Sequence, residues 1–471
     1  VQLGKPGRNE RALCGPSRDP SPSSRSLATS LGVHRNTVLA AYDELTAQGW
    51  ITTRPAKGTF VSAGFPELNA ETKKARSKLA PASGYSLPEP ITGGRVPAVG
   101  EALRLDGGLP DSRLIPANEL SRAYRRALRV HGRTLLDYGN PEGLRSLRVA
   151  LVEMLRARRG ITANEDCVLI TRGSQMALYL AARVLLRPGD TVAVESFGYR
   201  PAWEALRLGG ASLLPIPVDA GGLETKRLIS SVKGARKRET ESVRAIYVTP
   251  HHQYPTTATL SATRRMELLS FARDQRCIII EDDYDHEFHY DGRPVLPLAS
   301  SDGHRNVVYI GTMSKVLAPG LRLGFVVAPP PVIEQLANYR SCIDYHGDHV
   351  VEAAVAELIE DGELQRHMNR TRRIYEARRD CLVESLDSTL GNALSFTRPS
   401  GGMALWCRVN LTGSVDAWAK RATKEGVSFS PASRFTFDGA KQQFARFGFA
   451  AIDEKEIRRA VQILAKTAPT R

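Results

Sequence analysis

Along the first sixty residues the apolar positions recur with the period of a helix. Leu27, Ala28 and Leu31 fall on one face of a short helix over Ser24 to Leu31, which Gly32 ends. Val38, Ala41, Tyr42 and Leu45, at i, i+3, i+4 and i+7, predict an amphipathic helix over Arg35 to Gln48 closed by Gly49. Two helices across a tight glycine turn make a helix-turn-helix pattern. Trp50 to Thr53 and Thr59 to Ser62 then read as two strands around a basic tip, Arg54 to Gly58, which is a wing. From Leu105 onward the pattern changes. Short apolar runs (Val168 to Ile170, Thr191 to Val194, Ala245 to Val248, Cys277 to Ile280, Val307 to Ile310, Phe325 to Ala328) alternate with amphipathic helical stretches. Buried strands separated by helices predict a mostly parallel sheet in an α/β fold. Ligands of such sheets bind beyond the carboxyl ends of the strands, so polar residues just after each run are the candidates for chemistry.

Between the two regions the chain carries Lys73, Lys74, Arg76 and Lys78, then a stretch rich in Pro, Gly and Ser. Such a stretch buries too little apolar surface to offset the entropy of ordering it, and it reads as a linker. The expected division is a module over 1–64, a linker over 65–104 and a large domain over 105–471. A length of 471 residues agrees with more than one core. With 42% hydrophobic and 24% charged residues, a fibre or a wholly disordered chain is excluded. No apolar run approaches the roughly 20 residues of a membrane-spanning helix, and Val1 to Arg11 lacks the apolar core of a secretory signal. A cytoplasmic protein with no membrane partner is expected. Six cysteines without a C-x-x-C pair predict neither a disulfide nor a metal site. The net charge of +15 raises the expectation of a polyanionic partner, and residues 1–78 concentrate it, with twelve Lys and Arg against six Asp and Glu.

Arg35, Asn36 and Thr37 open the second helix, where a recognition helix meets base edges and free amides meet phosphate. Arg54 and Lys57 on the wing are placed to reach phosphates or a minor groove. The run Ser23-Ser24-Arg25-Ser26-Leu27-Ala28, Leu31-Gly32-Val33-His34-Arg35-Asn36-Thr37-Val38, Ala41-Tyr42-Asp43-Glu44-Leu45 and Gly49-Trp50 resembles the GntR class of winged-helix DNA-binding domains. The resemblance implies an operator in double-stranded DNA as partner, with Arg25, Arg35, Asn36, Thr37, Arg54 and Lys57 as its contacts. It has departures. Val1 to Pro22 offers Leu3, Leu13 and many Gly, Pro and Arg residues where the family has an aliphatic helix supporting the recognition helix, so that helix is expected to be missing or degraded. His34 stands where the family has a capping Ser or Thr, and Ala56-Lys57-Gly58 where a more glycine-rich turn is usual.

In the large domain each strand end carries polar groups. After Val168 to Ile170 comes Thr171-Arg172-Gly173-Ser174-Gln175, a Gly-Ser turn opening a helix over Met176 to Leu186 and suited to a phosphate. After Cys277 to Ile280 comes Glu281-Asp282-Asp283-Tyr284-Asp285, best read as one carboxylate meeting a buried cation. After Val307 to Ile310 comes Gly311-Thr312-Met313-Ser314-Lys315, and then Arg322, a set able to hold a phosphate and offer an amine nucleophile. In this order, with Tyr138-Gly139-Asn140-Pro141-Glu142-Gly143 and Arg446-Phe447-Gly448-Phe449, these segments resemble the fold-type I aminotransferases that bind pyridoxal 5′-phosphate.

That resemblance implies that Lys315 forms a Schiff base with the cofactor, that Asp282 faces the ring nitrogen and that Tyr284 donates to the phenolic oxygen. It further implies that Thr312, Arg322, Gly173 and Ser174 bind the phosphate, Tyr199 stacks on the ring and Arg446 takes an amino-acid carboxylate. Gln253, or His252 beside it, falls where the family has an asparagine. Tyr138 resembles the tyrosine that reaches the neighbouring subunit's cofactor in a homodimer. A GntR-like module before an aminotransferase-like domain is the arrangement of the MocR-type transcriptional regulators, which the whole chain resembles, with Thr257 replacing a common Gly after Pro-Thr. The implied function is regulation of transcription in response to pyridoxal phosphate, with or without a small amino compound as effector. The alternative is a pyridoxal-phosphate-dependent aminotransferase with a non-functional amino-terminal module.

Overall fold

Ser23 starts the first helix by accepting the Ser26 amide on its hydroxyl at 3.1 Å, and Gly32, at φ 64°, ends it, so Ser24–Leu31 is helical as its spacing predicts. The structure is a computed structural model and describes residues 20–62, 102–236, 243–302 and 306–469. The second helix spans Arg35–Ala47. The wing follows as β1 (Ile51–Arg54) and β2 (Gly58–Val61), antiparallel, with Arg54 opposite Gly58. Both of those residues therefore belong to the strands, and the turn itself is Pro55, Ala56 and Lys57. Ala56 sits at φ 61°, a left-handed conformation that costs a residue with a Cβ about 1 kcal/mol. Ala28, Val38 and Ile51 are buried in this module, whereas Leu31, Leu45 and Trp50 are exposed. The expectation about a missing first helix falls almost wholly outside the described residues, as does most of the predicted linker.

The chain divides into two compact units. The large one opens on β3 (Leu103–Leu105), so its first strand takes in two residues that composition assigns to the linker. There follow β4 (Val168–Thr171), β5 (Thr191–Glu195), β6 (Ser212–Ile216), a hairpin of β7 (Val218–Asp219) and β8 (Gly222–Leu223), β9 (Val243–Val248), β10 (Ile278–Asp283), β11 (Val307–Thr312) and β12 (Gly324–Val327). Seven of these form one sheet in the order β4–β12–β11–β10–β9–β5–β6, parallel except for β12. All six apolar runs lie in or directly against its strands. The edge strand β6 is the one that pattern reading missed, since Pro215 breaks its apolar run.

The sheet is buried on both faces, which is why its strands read as continuous apolar runs. Ile246, Val248, Ile279, Tyr309 and Phe325 pack into one core, and Ala245, Tyr247, Ile280, Ile310 and Val326 into the other. This is the period of two expected of strands between helical layers. A second sheet is built from β13 (Leu394–Phe396), β14 (Ala404–Val409), β15 (Val427–Pro431) and β16 (Phe444–Gly448), ordered β13–β14–β16–β15–β3. Its importance for the site is that β16 carries Arg446. The architecture is the mixed α/β fold of fold-type I, with an amino-terminal winged helix. Among the described residues no helix is long and apolar enough to cross a membrane, and the five described cysteines are free thiols.

Candidate functional site

Strand alternation sorts the acidic run at the end of β10. Tyr247 and Ile280 share one face of the sheet, and Asp282 follows Ile280 by two residues, so Tyr247 Oη reaches it and donates to Oδ2 at 2.8 Å. Oδ1 of Asp282 is buried with no partner among the described residues. Burial raises the Asp282 pKa to about 7, against the Tyr247 hydrogen bond and the nearby Lys315 charge. Its neighbours point to the other face. Glu281 accepts the Leu298 and Ala299 amides at 2.8 and 2.9 Å. Asp283 accepts from Tyr309 Oη at 2.8 Å and lies 3.0 Å from His286 Nδ1. Burial alone would raise Asp283, but His286 and Arg159 hold it well below the usual carboxylate range.

Lys315 follows β11 on a turn in which the Ser314 amide donates to Thr312 Oγ1 at 3.1 Å. Burial lowers the lysine to about 8, the Arg446 charge adds to that, and Asp285 and Asp282 oppose it. Beside it the register sets Thr312 opposite Gly324 and Gly324 opposite Thr171, which brings the Gly173-Ser174 turn alongside the β11 end. Gly173, at φ 79°, opens the helix Ser174–Leu185, and a Cβ there would stand 2.8 Å from Arg322 Nη2. Arg322 donates to the Arg172 carbonyl at 2.9 Å. Thr312, Ser174 at a helix amino terminus, and Arg322 thus converge, which is the donor set a phosphate needs.

Tyr254 is the aromatic centre of the site. Tyr199, Tyr284 and Phe435 meet its ring edge-on at 5.5, 5.8 and 5.5 Å, and the Arg446 guanidinium lies 4.9 Å from its centroid. Burial, and then the Asp282 charge, push Tyr199 up to about 12. Arg446 is buried, and its Nε and Nη1 have no hydrogen-bond partner among the described residues. A buried, unpaired guanidinium is costly, and a carboxylate is the group that satisfies its fork. The unpaired Oδ1 of Asp282, the unpaired nitrogens of Arg446 and the cradle at Gly173 therefore fit a ligand with a protonated ring nitrogen, a phosphate and a carboxylate-bearing partner.

In the small module Arg25, Arg35, Asn36, Thr37, Arg54 and Lys57 are all exposed. His34 caps the second helix: its Nδ1 accepts the Asn36 amide at 3.3 Å, so the imidazole takes the place of a hydroxyl. Arg35 Nε lies 3.4 Å from Ser24 Oγ, and Arg54 lies 5.6 Å from the Phe60 ring centroid.

Residues 19–61 match the bacterial regulatory proteins of the gntR family, and residues 108–464 match aminotransferase class I and II. One relative spans both parts: the probable rhizopine catabolism regulatory protein MocR of Rhizobium meliloti is 32% identical over 449 residues, covering 94% of this chain and 88% of that protein. The chain belongs to the MocR-type regulators. The pyridoxine biosynthesis transcriptional regulator PdxR of Corynebacterium glutamicum is 30% identical over 93% of this chain and 89% of its own length. Among solved structures, a kynurenine aminotransferase of Pyrococcus horikoshii, crystallised with PMP, is 30% identical with a TM-score of 0.73, over 78% of this chain and 91% of that one.

In this MocR-type chain two expected residues are engaged elsewhere in the described structure. Gln253 is fully buried and its amide is committed to its own loop: Nε2 donates to the Phe197 and Tyr254 carbonyls, each at 2.7 Å, and Oε1 accepts from Thr256 N and Oγ1 at 3.1 and 2.6 Å. His252 is paired with Asp285 at 2.8 Å. Tyr138 is 80% exposed and packs edge-on against Tyr345, with ring centroids 5.1 Å apart. Two contributors escaped the motifs. Tyr247 is hidden inside an apolar run, where only its position on the Asp282 face marks it. Tyr254 lies in the loop from Pro250 to Thr256, which the resemblance includes without assigning this ring a role.

Proposed function

We propose that this MocR-type regulator binds pyridoxal 5′-phosphate at Lys315 and couples the state of that site to binding of operator DNA by its amino-terminal module. When bound, the cofactor supplies an aldehyde that condenses with amines and a ring that draws electrons from the attached carbon. Lys315 Nζ is the amine that attaches it. Asp282 Oδ1 would accept the ring N–H, and such a cationic neighbour would favour ionisation of a carboxyl that burial, above all, raises to about 7. Tyr284 donates to the phenolic oxygen and Tyr199 covers the ring. Thr312, Gly173, Ser174 and Arg322 hold the phosphate, while Gln253 shapes the loop that presents Tyr254.

The observation that carries this reading is the buried Arg446, unpaired at Nε and Nη1 and close enough to Lys315 to depress its pKa. It suits an effector that is an amino acid or a similar amino carboxylate, whose carboxylate would pair with Arg446 and whose amine would compete with Lys315 for the cofactor. Differential contacts made in the two states shift the equilibrium of the protein. Arg25, Arg35, Asn36, Thr37, Arg54 and Lys57 contact the operator, and the protein acts in the cytoplasm. The exposed Tyr138 is suited to a homodimer in which it reaches the other copy's phosphate. Sedimentation at micromolar concentration tests that pairing, and a monomer there contradicts it.

The cofactor reading is tested by absorbance. Purified protein mixed with pyridoxal phosphate develops a band in the near-visible that Lys315→Ala lacks while still folding. An identical band in the variant rejects Lys315 as the attachment point.

A further inference from the structure

Beyond the ends of β9 and β10, four imidazoles gather. His251 and His252 end the segment after β9, and His286 and His289 follow β10. The rings of His251 and His252 are 4.3 Å apart, and His286 stacks on His251 at 4.4 Å. A buried histidine ordinarily satisfies both ring nitrogens, because an unpaired one keeps its desolvation cost. Here one nitrogen of each of three rings is spare: His251 Nε2, His252 Nε2 and His289 Nδ1 have no hydrogen-bond partner among the described residues, and His251 and His252 are almost completely buried.

The outer nitrogens are anchored in the manner of metal ligands. His252 Nδ1 is held by Asp285 Oδ1 at 2.8 Å and His251 Nδ1 by the Val295 carbonyl at 3.1 Å. A carboxylate or carbonyl behind each imidazole fixes its tautomer and raises its basicity toward a cation in front. One ring nitrogen from each of His251, His252 and His289 lies within 4.8 Å of the other two. Small rotations close that spacing to the roughly 3.4 Å that three nitrogens about 2.1 Å from one zinc-sized ion require. Gly401 pairs with His289 across a bridge, and a Cβ on it would overlap His252 Nε2, so only a glycine fits against this ring.

We infer that His251, His252 and His289 form a site for a divalent transition-metal ion of the zinc type, with Asp285 as the carboxylate behind His252. Three imidazoles suit Zn2+, Co2+, Ni2+ or Cu2+ over the oxygen-preferring Mg2+ and Ca2+, and leave one position for water. His286 walls the site and leans on Asp283. Asp285 faces both ways, since its charge also bears on Lys315 and Asp282. A cation in front of His252 would draw on that carboxylate through the ring.

The probe is Co2+ titrated into the tag-free, full-length chain after dialysis against a chelator. One equivalent per chain, with the intense visible absorption of a four- or five-coordinate imidazole site and displacement by Zn2+, is expected. His289→Ala, a partly exposed position, should weaken binding about 10-fold or more with unchanged far-ultraviolet circular dichroism, and His251→Gln should do the same. A native chain that gives only the faint spectrum of six-coordinate Co2+ overturns the proposal without reference to any variant. Equal Co2+ affinity in native chain and variants overturns it as well.

Discussion

Tyr247 Oη donates to Asp282 Oδ2 at 2.8 Å from the neighbouring strand, and this bond fixes the carboxylate while its other oxygen is buried with no partner among the described residues. The hydrogen bond favours the ionised form that burial opposes. Tyr247→Phe therefore raises the Asp282 pKa further and weakens its hold on a ring N–H. A loss of about 1 to 2 kcal/mol, or roughly 5- to 30-fold in pyridoxal phosphate affinity, is expected by absorbance titration.

Gly173 is constrained twice, by φ 79° and by Arg322 Nη2 lying 2.8 Å from where a Cβ would be. Gly173→Ala displaces the guanidinium that contributes to the phosphate cradle. Pyridoxal phosphate affinity should fall at least about 10-fold, while the weaker binding of pyridoxal, which lacks the phosphate, stays as it was. Equal losses for both ligands would place the defect outside the cradle.

Lys315 must be unprotonated to attack an aldehyde, and its ammonium is lowered to about 8. The rate at which the absorption band develops should rise roughly tenfold between pH 7 and 9 and then level off. The Arg446 charge is part of what depresses the lysine. Removing it in Arg446→Ala should raise the lysine pKa and move the midpoint of the rate profile to higher pH. Stopped-flow absorbance across that range checks both, and a midpoint that stays put in the variant contradicts the coupling.

In the wing, Ala56 occupies a left-handed conformation at φ 61°. Ala56→Gly relieves a strain of about 1 kcal/mol and should raise the denaturation midpoint of this module without weakening DNA binding. Lys57→Ala, by contrast, should weaken binding to all sequences and reduce the slope of log affinity against log salt by about 1. Arg35→Ala should lower affinity chiefly for the specific site, by about 1 to 3 kcal/mol if the residue reads a base edge.

The parts of this chain legible in sequence are those written locally. The helix-turn-helix declares itself because Ser23, Gly32 and the spacing around Val38 act within a few residues. The neighbourhoods of Lys315, Asp282 and Arg322 are legible because buried parallel strands read as apolar runs and their polar ends announce the sheet's carboxyl edge. Contributions that depend on pairing between distant strands were not legible. Tyr247 looks like one more apolar strand residue until β9 is laid against β10. Gln253 has the chemistry of a ligand contact, but Phe197, Tyr254 and Thr256 use every group of its amide. His289 joins His251 and His252 only through the fold, which is why a scan for closely spaced ligands gives no metal. Ala56 shows the converse: the resemblance to the family marks its turn as unusual, and only the backbone shows the strain.

The central claim, that the state of the Lys315 site governs DNA binding, is tested most directly by one assay. Affinity for the DNA upstream of the protein's own gene is measured at fixed salt, with and without pyridoxal phosphate, for the native chain and for Lys315→Ala. The account predicts that the cofactor changes the native affinity several-fold and leaves the variant's unchanged. Specific binding by the native chain that is the same with and without cofactor would contradict it.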